Sequence, residues 1–270
     1  MAQPKFATKM ESEELTMRLA VLIDADNAQA AVIENLLAEI ARYGEATVKR
    51  IYGDFTTSAS SSWKKVLQKH AIKPVQQFAY TTGKNSTDST LIIDAMDLMY
   101  TKKFDGFCLV TSDSDFTGLA VRIREEGLSV FGFGEKKTPE AFIRSCHKFV
   151  YTEVLRPHIG PPAKKSKTLH DSEPASPPHE TTTIPFPKKV VIDALEQSGD
   201  DSGWSNLGTF GSYLTKLLPE FDSRNHGFKK LSELVKAETD IFETEERNIS
   251  GNKQLYVRAK SIKQVRRKAS

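Results

Sequence analysis

Eight of the twelve prolines fall between Pro157 and Pro187. Around them, Arg156 to Thr183 is Pro, Ser, Thr, Lys and His with almost no large apolar side chain. Such a segment cannot bury enough surface to offset the entropy of ordering it, so residues 156–184 read as a disordered linker. A chain of 270 residues cut at that point holds two domains, over 15–155 and 185–260, with a basic tail at 261–270. His158, His170 and His179 lie in the linker, where nothing arranges them as metal ligands.

The same cut divides the charge. The net +3 is the sum of −1 over residues 1–155 and +4 over 156–270. The first half therefore has no overall pull on a polyanion, and any nucleic-acid affinity there must come from local patches or bound metal. The basic excess of the second half comes partly from Lys263, Arg266, Arg267 and Lys268 in the tail. The two cysteines, Cys108 and Cys146, exclude a disulfide scaffold and a Cys-rich zinc site and read as reduced core thiols. No apolar run approaches a membrane span, and Met1 to Thr16 lacks the apolar core of a signal peptide, so the expected compartment is the cytoplasm.

The first domain alternates strand and helix patterns. Leu19–Ile23 and Phe107–Val110 are continuous apolar runs, as expected of strands buried on both faces. Ala46–Tyr52, Ile72–Phe78 and Ser129–Phe133 read as further strands. Helical patterns fill 30–43, 60–70, 88–100, 116–126 and 139–146, with Gly44 and Gly127 as stops. This predicts an α/β fold, a parallel sheet sandwiched by helices, with ligands beyond the carboxyl ends of the strands. The second domain shows three helical patterns, at 188–197, 207–218 and 228–236. A hairpin of Ile241–Glu245 with Gln254–Arg258 follows, turning at Ser250-Gly251-Asn252. Three helices and a hairpin predict a small winged-helix domain.

Two strands run into aspartates. The first ends in Asp24-Ala-Asp26-Asn27 and the fourth in Thr111-Ser-Asp113-Ser-Asp115; Lys84-Asn-Ser-Thr-Asp88 opens a helix, and Asp54 ends the second strand. Taken singly, each Asp has helix capping as an equal explanation. Together they crowd like charges into one cleft, which is costly unless a cation compensates. Mg²⁺ and Mn²⁺ take such oxygen ligands, and ions of this kind activate water against a phosphodiester. Asp94 lies six residues after Asp88, about 120° round the helix. It is either a supporting residue or a surface one. No catalytic triad or P-loop is present, and Phe131-Gly-Phe-Gly134 reads as a tight turn rather than a phosphate cradle.

Leu22-Ile-Asp24-Ala-Asp26-Asn27, Gly83-Lys84-Asn-Ser-Thr-Asp88 and Val110-Thr-Ser-Asp113-Ser-Asp115-Phe116 together resemble the three motifs of the NYN domain, a member of the PIN-like nuclease superfamily. The resemblance covers about residues 15–155. It implies metal-dependent ribonuclease activity, with Asp24, Asp88, Asp113 and Asp115 as metal-binding carboxylates. It also implies that Asn27 orients a ligand or the substrate, while Lys84 either meets a phosphate or is simply solvated. Phe210-x-x-Tyr213-Leu214, Pro219-x-Phe221-Asp222-Ser-Arg224-Asn-His226-Gly-Phe228, Leu231-x-x-Leu234 and Gln254-Leu-Tyr256-Val-Arg258 resemble the LOTUS domain, also called OST-HTH. That resemblance implies binding of RNA or of a protein partner. Arg224, Lys229 and Lys230, near the start of the third helix, either reach RNA phosphates or are solvated charges. Phe210, Tyr213, Phe221 and Phe228 fit the core better than a stacking platform, and Trp204 and Tyr256 fit either.

The leading expectation is therefore a Mg²⁺- or Mn²⁺-dependent ribonuclease with a module that recruits RNA through a flexible tether. One alternative is a non-catalytic RNA-binding or adaptor protein. A third is a phosphatase with Asp24 as nucleophile, against which Asn27-Ala28 departs from the required pattern.

Overall fold

A computed structural model describes residues 16–56, 61–78, 86–156, 185–249 and 251–260. The 157–184 part of the expected linker, Lys84 and the basic tail lie outside them. Six strands form one parallel sheet: β1 (Arg18–Asp24), β2 (Glu45–Gly53), β3 (Lys73–Gln76), β4 (Gly106–Val110), β5 (Ser129–Gly134) and β6 (Lys148–Tyr151), in the order β3-β2-β1-β4-β5-β6. The order reverses between β1 and β4. There the chain leaves in opposite directions after the two central strands, which opens a crevice at their carboxyl ends.

Burial on both faces explains the unbroken apolar runs. Ala20 and Leu22 of β1 pack with Phe107 and Leu109 of β4 against α3 (Ser86–Tyr100), α4 (Thr117–Glu125) and α5 (Glu140–Ser145). The alternate residues Leu19, Val21, Ile23, Cys108 and Val110 pack against α1 (Ile33–Ile40) and α2 (Ser61–His70). Cys108 and Cys146 are buried free thiols, and burial pushes the Cys146 thiol up to about 12.

Two local expectations are corrected, and one strand is new. α1 ends at Ile40, before Gly44; a Cβ at Gly44 would run into the Met17 carbonyl, so close approach to the start of β1 is what requires glycine there. Gly132 and Gly134 lie inside β5 and not in a turn after it. A Cβ at Gly132 would stand 2.5 Å from a Phe149 ring carbon and 2.7 Å from the Cys146 sulfur. The edge strand β6 has no counterpart in the sequence reading, because its four residues are too few to show a period. Gly127, at φ +78°, does close α4 as expected.

The second domain comprises α6 (Lys188–Ser198), β7 (Ser205–Asn206), α7 (Leu207–Leu217), α8 (Leu231–Ala237) and the hairpin β8 (Phe242–Ile249) and β9 (Asn252–Ala259). The antiparallel sheet runs β7-β9-β8, so a two-residue strand that the sequence pattern did not reveal flanks the hairpin. Asn206 caps α7 by accepting from the Gly208 N–H. Phe210, Leu214, Leu195, Leu234 and Val257 fill the core. This is the winged-helix arrangement the helical patterns predicted.

Replacing Gly132 by Ala forces a methyl group into filled space. We expect Gly132→Ala to destabilise the fold by about 1–3 kcal/mol, read as a lower midpoint in chemical denaturation with an unchanged slope.

Candidate functional site

The site at the sheet's switch point is assembled around one carboxylate. Asp24, the last residue of β1, is fully buried. Its Oδ1 accepts from the Asp26 N–H at 3.0 Å, and its Oδ2 from Asn27 Nδ2 at 2.6 Å and Thr111 Oγ1 at 3.0 Å. The Thr111 hydroxyl in turn accepts from the Asp113 N–H, and the Asp113 carboxylate from the Asp115 N–H at 3.0 Å. One chain of hydrogen bonds thus runs from the end of β1 across to the loop after β4. Burial raises the Asp24 pKa, and the hydrogen bonds from Asn27, Thr111 and the Asp26 N–H oppose that rise.

Across this chain stands Asp88, in the first turn of α3. Asp88, Asp113 and Asp115 each place a carboxylate oxygen within 4.8 Å of the others. Desolvation, then the charges of Asp24, Asp113, Asp115 and Asp26, push the Asp88 carboxyl up to about 6. Three carboxylates offering only hard oxygen donors, one of them disfavoured as an anion by its neighbours, fit a divalent cation of the Mg²⁺ or Mn²⁺ type. Among the described residues this is the one such group of metal-capable side chains.

The sequence-derived candidates thus separate by position. Asp88, Asp113 and Asp115 converge. Asp24 stands outside that group of three, and Asn27 turns its amide onto Asp24 rather than into open space. Asp113 also caps the short 3₁₀ turn at Ser114–Phe116, so capping and clustering are served by the same side chain. With no exposure and hydrogen bonds on both oxygens, Asp24 is poorly placed as a phosphatase nucleophile. Asp54 serves its own turn, accepting from Thr56 and Gln76.

Two supporting residues escaped the sequence reading. Thr111 links β1 to β4. Tyr52 pairs in register with Asp24 and, with Arg50, donates to Asp94, so Asp94 fastens α3, and with it Asp88, to β2. The parallel pairing of β1 with β2 is the signal that places Tyr52 beside the site, and it exists only once the strands are aligned.

In the second domain, Lys229 and Lys230 are exposed just before α8. Arg224 is placed differently: its guanidinium is engaged by Asp222 of its own domain and by Glu39 of the first. Phe210 and Phe221 are buried, and Tyr213 and Phe228 pack against that core, as expected. The Trp204 ring is faced by the guanidinium groups of Arg247 and Arg258, 5.2 Å and 4.7 Å from its centre, and the Tyr256 ring by Arg247 at 4.3 Å.

Residues 18–155, just over half of the chain, match the NYN domain. The chain belongs to the NYN domain family. Residues 182–254 match the OST-HTH/LOTUS domain, in the same order along the chain as the sequence motifs. NYN domains are PIN-like and belong to a nuclease superfamily, which supports a hydrolase acting on nucleic acid, and LOTUS domains suggest RNA binding. No curated protein matches the chain. Among solved structures, the chain is similar to an uncharacterized protein of Nitrosomonas europaea at 54% identity, over 36% of this chain and 93% of that one, with a TM-score of 0.28. A protein of unknown function from Vibrio parahaemolyticus is 19% identical over 51% and 94% of the two chains, with a TM-score of 0.43. A protein from Chromobacterium violaceum is 32% identical over 29% and 84%, with a TM-score of 0.24. Among the described residues no helix is long and apolar enough to cross a membrane.

The raised Asp88 pKa has a definite pH signature. Between about 4 and 6 the folded ion-free protein keeps a proton that the unfolded chain has lost, so this group's contribution to stability falls as pH rises through that window. Asp88→Asn removes the penalty. In EDTA we expect this variant to melt above the parent at pH 7.5, with the difference vanishing toward pH 4, as thermal unfolding at the two pH values will show.

Proposed function

We propose that this chain is a ribonuclease that depends on Mg²⁺ or Mn²⁺ and acts in the cytoplasm, with RNA brought to it partly by the winged-helix domain. The observation that carries the reading is the meeting of Asp88, Asp113 and Asp115 within 4.8 Å at the switch point of a PIN-like sheet. A divalent ion held by these carboxylates would supply positive charge against the phosphodiester oxygens and acidify an incoming water. Asp24 acts from beneath them. It holds Thr111 and Asn27 in place and adds negative charge behind Asp88. Two buried thiols without a disulfide suit a reducing compartment.

Such an ion also answers the near-neutral charge of the first domain, since attraction for phosphate would then reside in the ion. Lys229 and Lys230 add a separate, sequence-independent hold on the RNA backbone.

The deciding measurement is cleavage of labelled single-stranded and structured RNA with Mn²⁺, Mg²⁺ or EDTA. We expect EDTA to abolish cleavage and Asp113→Asn to slow it by about 100-fold or more, the scale of losing a group that stabilises the transition state. Equal cleavage by the variant identifies a contaminant. RNA binding without cleavage in any metal establishes the adaptor reading instead.

The phosphate contacts are tested separately by salt titration. For single-stranded RNA each lost contact lowers the slope of log K against log salt by about 0.7. We expect Lys229→Ala with Lys230→Ala to reduce it by about 1.4 while leaving preference among sequences unchanged.

A further inference from the structure

The two domains meet along the edge strand β6, two strands away from β4 and its carboxylates. β6 is an edge strand, and an unpaired edge is a liability unless something covers it. Here the Phe149 N–H donates to the Pro219 carbonyl at 2.9 Å. Pro219 lies just past the end of α7, where helix carbonyls lack intrahelical donors and carry partial negative charge. Two cations of the first domain meet that helix end and the loop that follows it. Arg144, in the last turn of α5, donates to the Leu217 carbonyl, and Lys148 donates to the Phe221 carbonyl at 2.6 Å. Burial lowers the Lys148 pKa, with the charge of Asp222 opposing it.

A second set of contacts runs the other way. Arg224 donates to both oxygens of Glu39 on α1, at 2.8 Å and 3.0 Å, while Asp222 holds the guanidinium from its own side. Glu39 is only 5% exposed. Without Arg224 it would keep Arg42 and the Tyr43 hydroxyl as partners. A carboxylate this buried beside a neighbouring domain is matched to a cation from that domain.

We propose that this surface, built from Glu39, Arg144, Lys148 and the Phe149 N–H, is the permanent seat of the chain's own winged-helix domain. The module is then a fixed cover of the sheet edge rather than a lobe on a free tether, and Arg224 is a docking residue rather than an RNA contact. The occupant is the same chain's domain because the connection closes locally. Tyr151 of β6 lines one small cavity together with Pro185 and Pro187, which precede α6. The chain thus re-enters at Pro185 beside the strand it left, so one chain supplies both domains. The seating stands whether or not the site cleaves RNA. Given the reading above, it fixes where Lys229 and Lys230 lie relative to the carboxylates.

The test uses the full chain with dyes on Asp97→Cys and Lys253→Cys, both exposed positions, observed as single molecules. We expect one high-transfer population in the parent that does not change with concentration. Glu39→Gln and Arg224→Gln should each lower the docked-to-undocked ratio about 10-fold, the scale of losing charge-assisted hydrogen bonds where each remaining group keeps a second partner. The double variant should lose no more than the worse single one, since the pair acts as a unit. Arg144→Ala leaves both cores intact and should also shift the population, which keeps the test decisive if a Glu39 or Arg224 variant fails to fold. A broad, low-transfer parent, or transfer unchanged by both Arg224→Gln and Arg144→Ala, overturns the seating. Transfer that appears only as concentration and mass rise together shows that a second copy supplies the domain, and overturns the assignment to one chain.

Discussion

The buried carboxylate of Asp24 is the constraint on which the site depends. An ionised group with no exposure must have its oxygens satisfied, or it protonates or unfolds its surroundings. Asn27, Thr111 and the Asp26 N–H satisfy it. Because Thr111 follows β4 while Asp24 ends β1, these bonds also tie together the two loops that diverge at the switch point. The Asp113 and Asp115 backbones hang from the same thread. Electrostatics then gives the arrangement its tension: the fold places Asp88 against charges that disfavour its own, and a cation held there would resolve this.

The same physics operates at the β6 edge of the sheet with opposite bookkeeping. There the charges are paired: Glu39 and Asp222 with Arg224, the last carbonyl of α7 with Arg144, and the Phe221 carbonyl in the loop beyond it with Lys148. One region of the molecule concentrates like charge and suits an ion; the other matches charge and suits a protein surface. The winged-helix domain lies along β6, two strands from β4, so the charge-matched surface is separate from the carboxylates. This separation differs from recruitment on a loose tether, which the proline-rich stretch alone suggests.

Much of the fold was legible. The apolar runs of β1 and β4 announce strands buried on both faces, and the helical periods of α6 and α7 follow from one-sided packing. Misreadings occurred where a residue answers to a distant neighbour. Gly44 looks like a helix stop but yields to the Met17 carbonyl, and Gly132 looks like a turn but yields to Phe149 and Cys146. β6 and β7 are too short for a pattern and exist because neighbouring strands accept them.

The sequence by itself determined the α/β alternation and the placing of aspartates at strand ends, because these are local matters of composition and period. Only the tertiary structure decided which aspartates meet. Asp88, Asp113 and Asp115 converge, while Asp24 turns inward to Thr111 and Asn27. Tertiary structure alone likewise decided that Arg224 faces Glu39, 185 residues away in the chain. A side chain's partner across such a span is set by how sheets and helices stack, and spacing along the sequence holds no record of that.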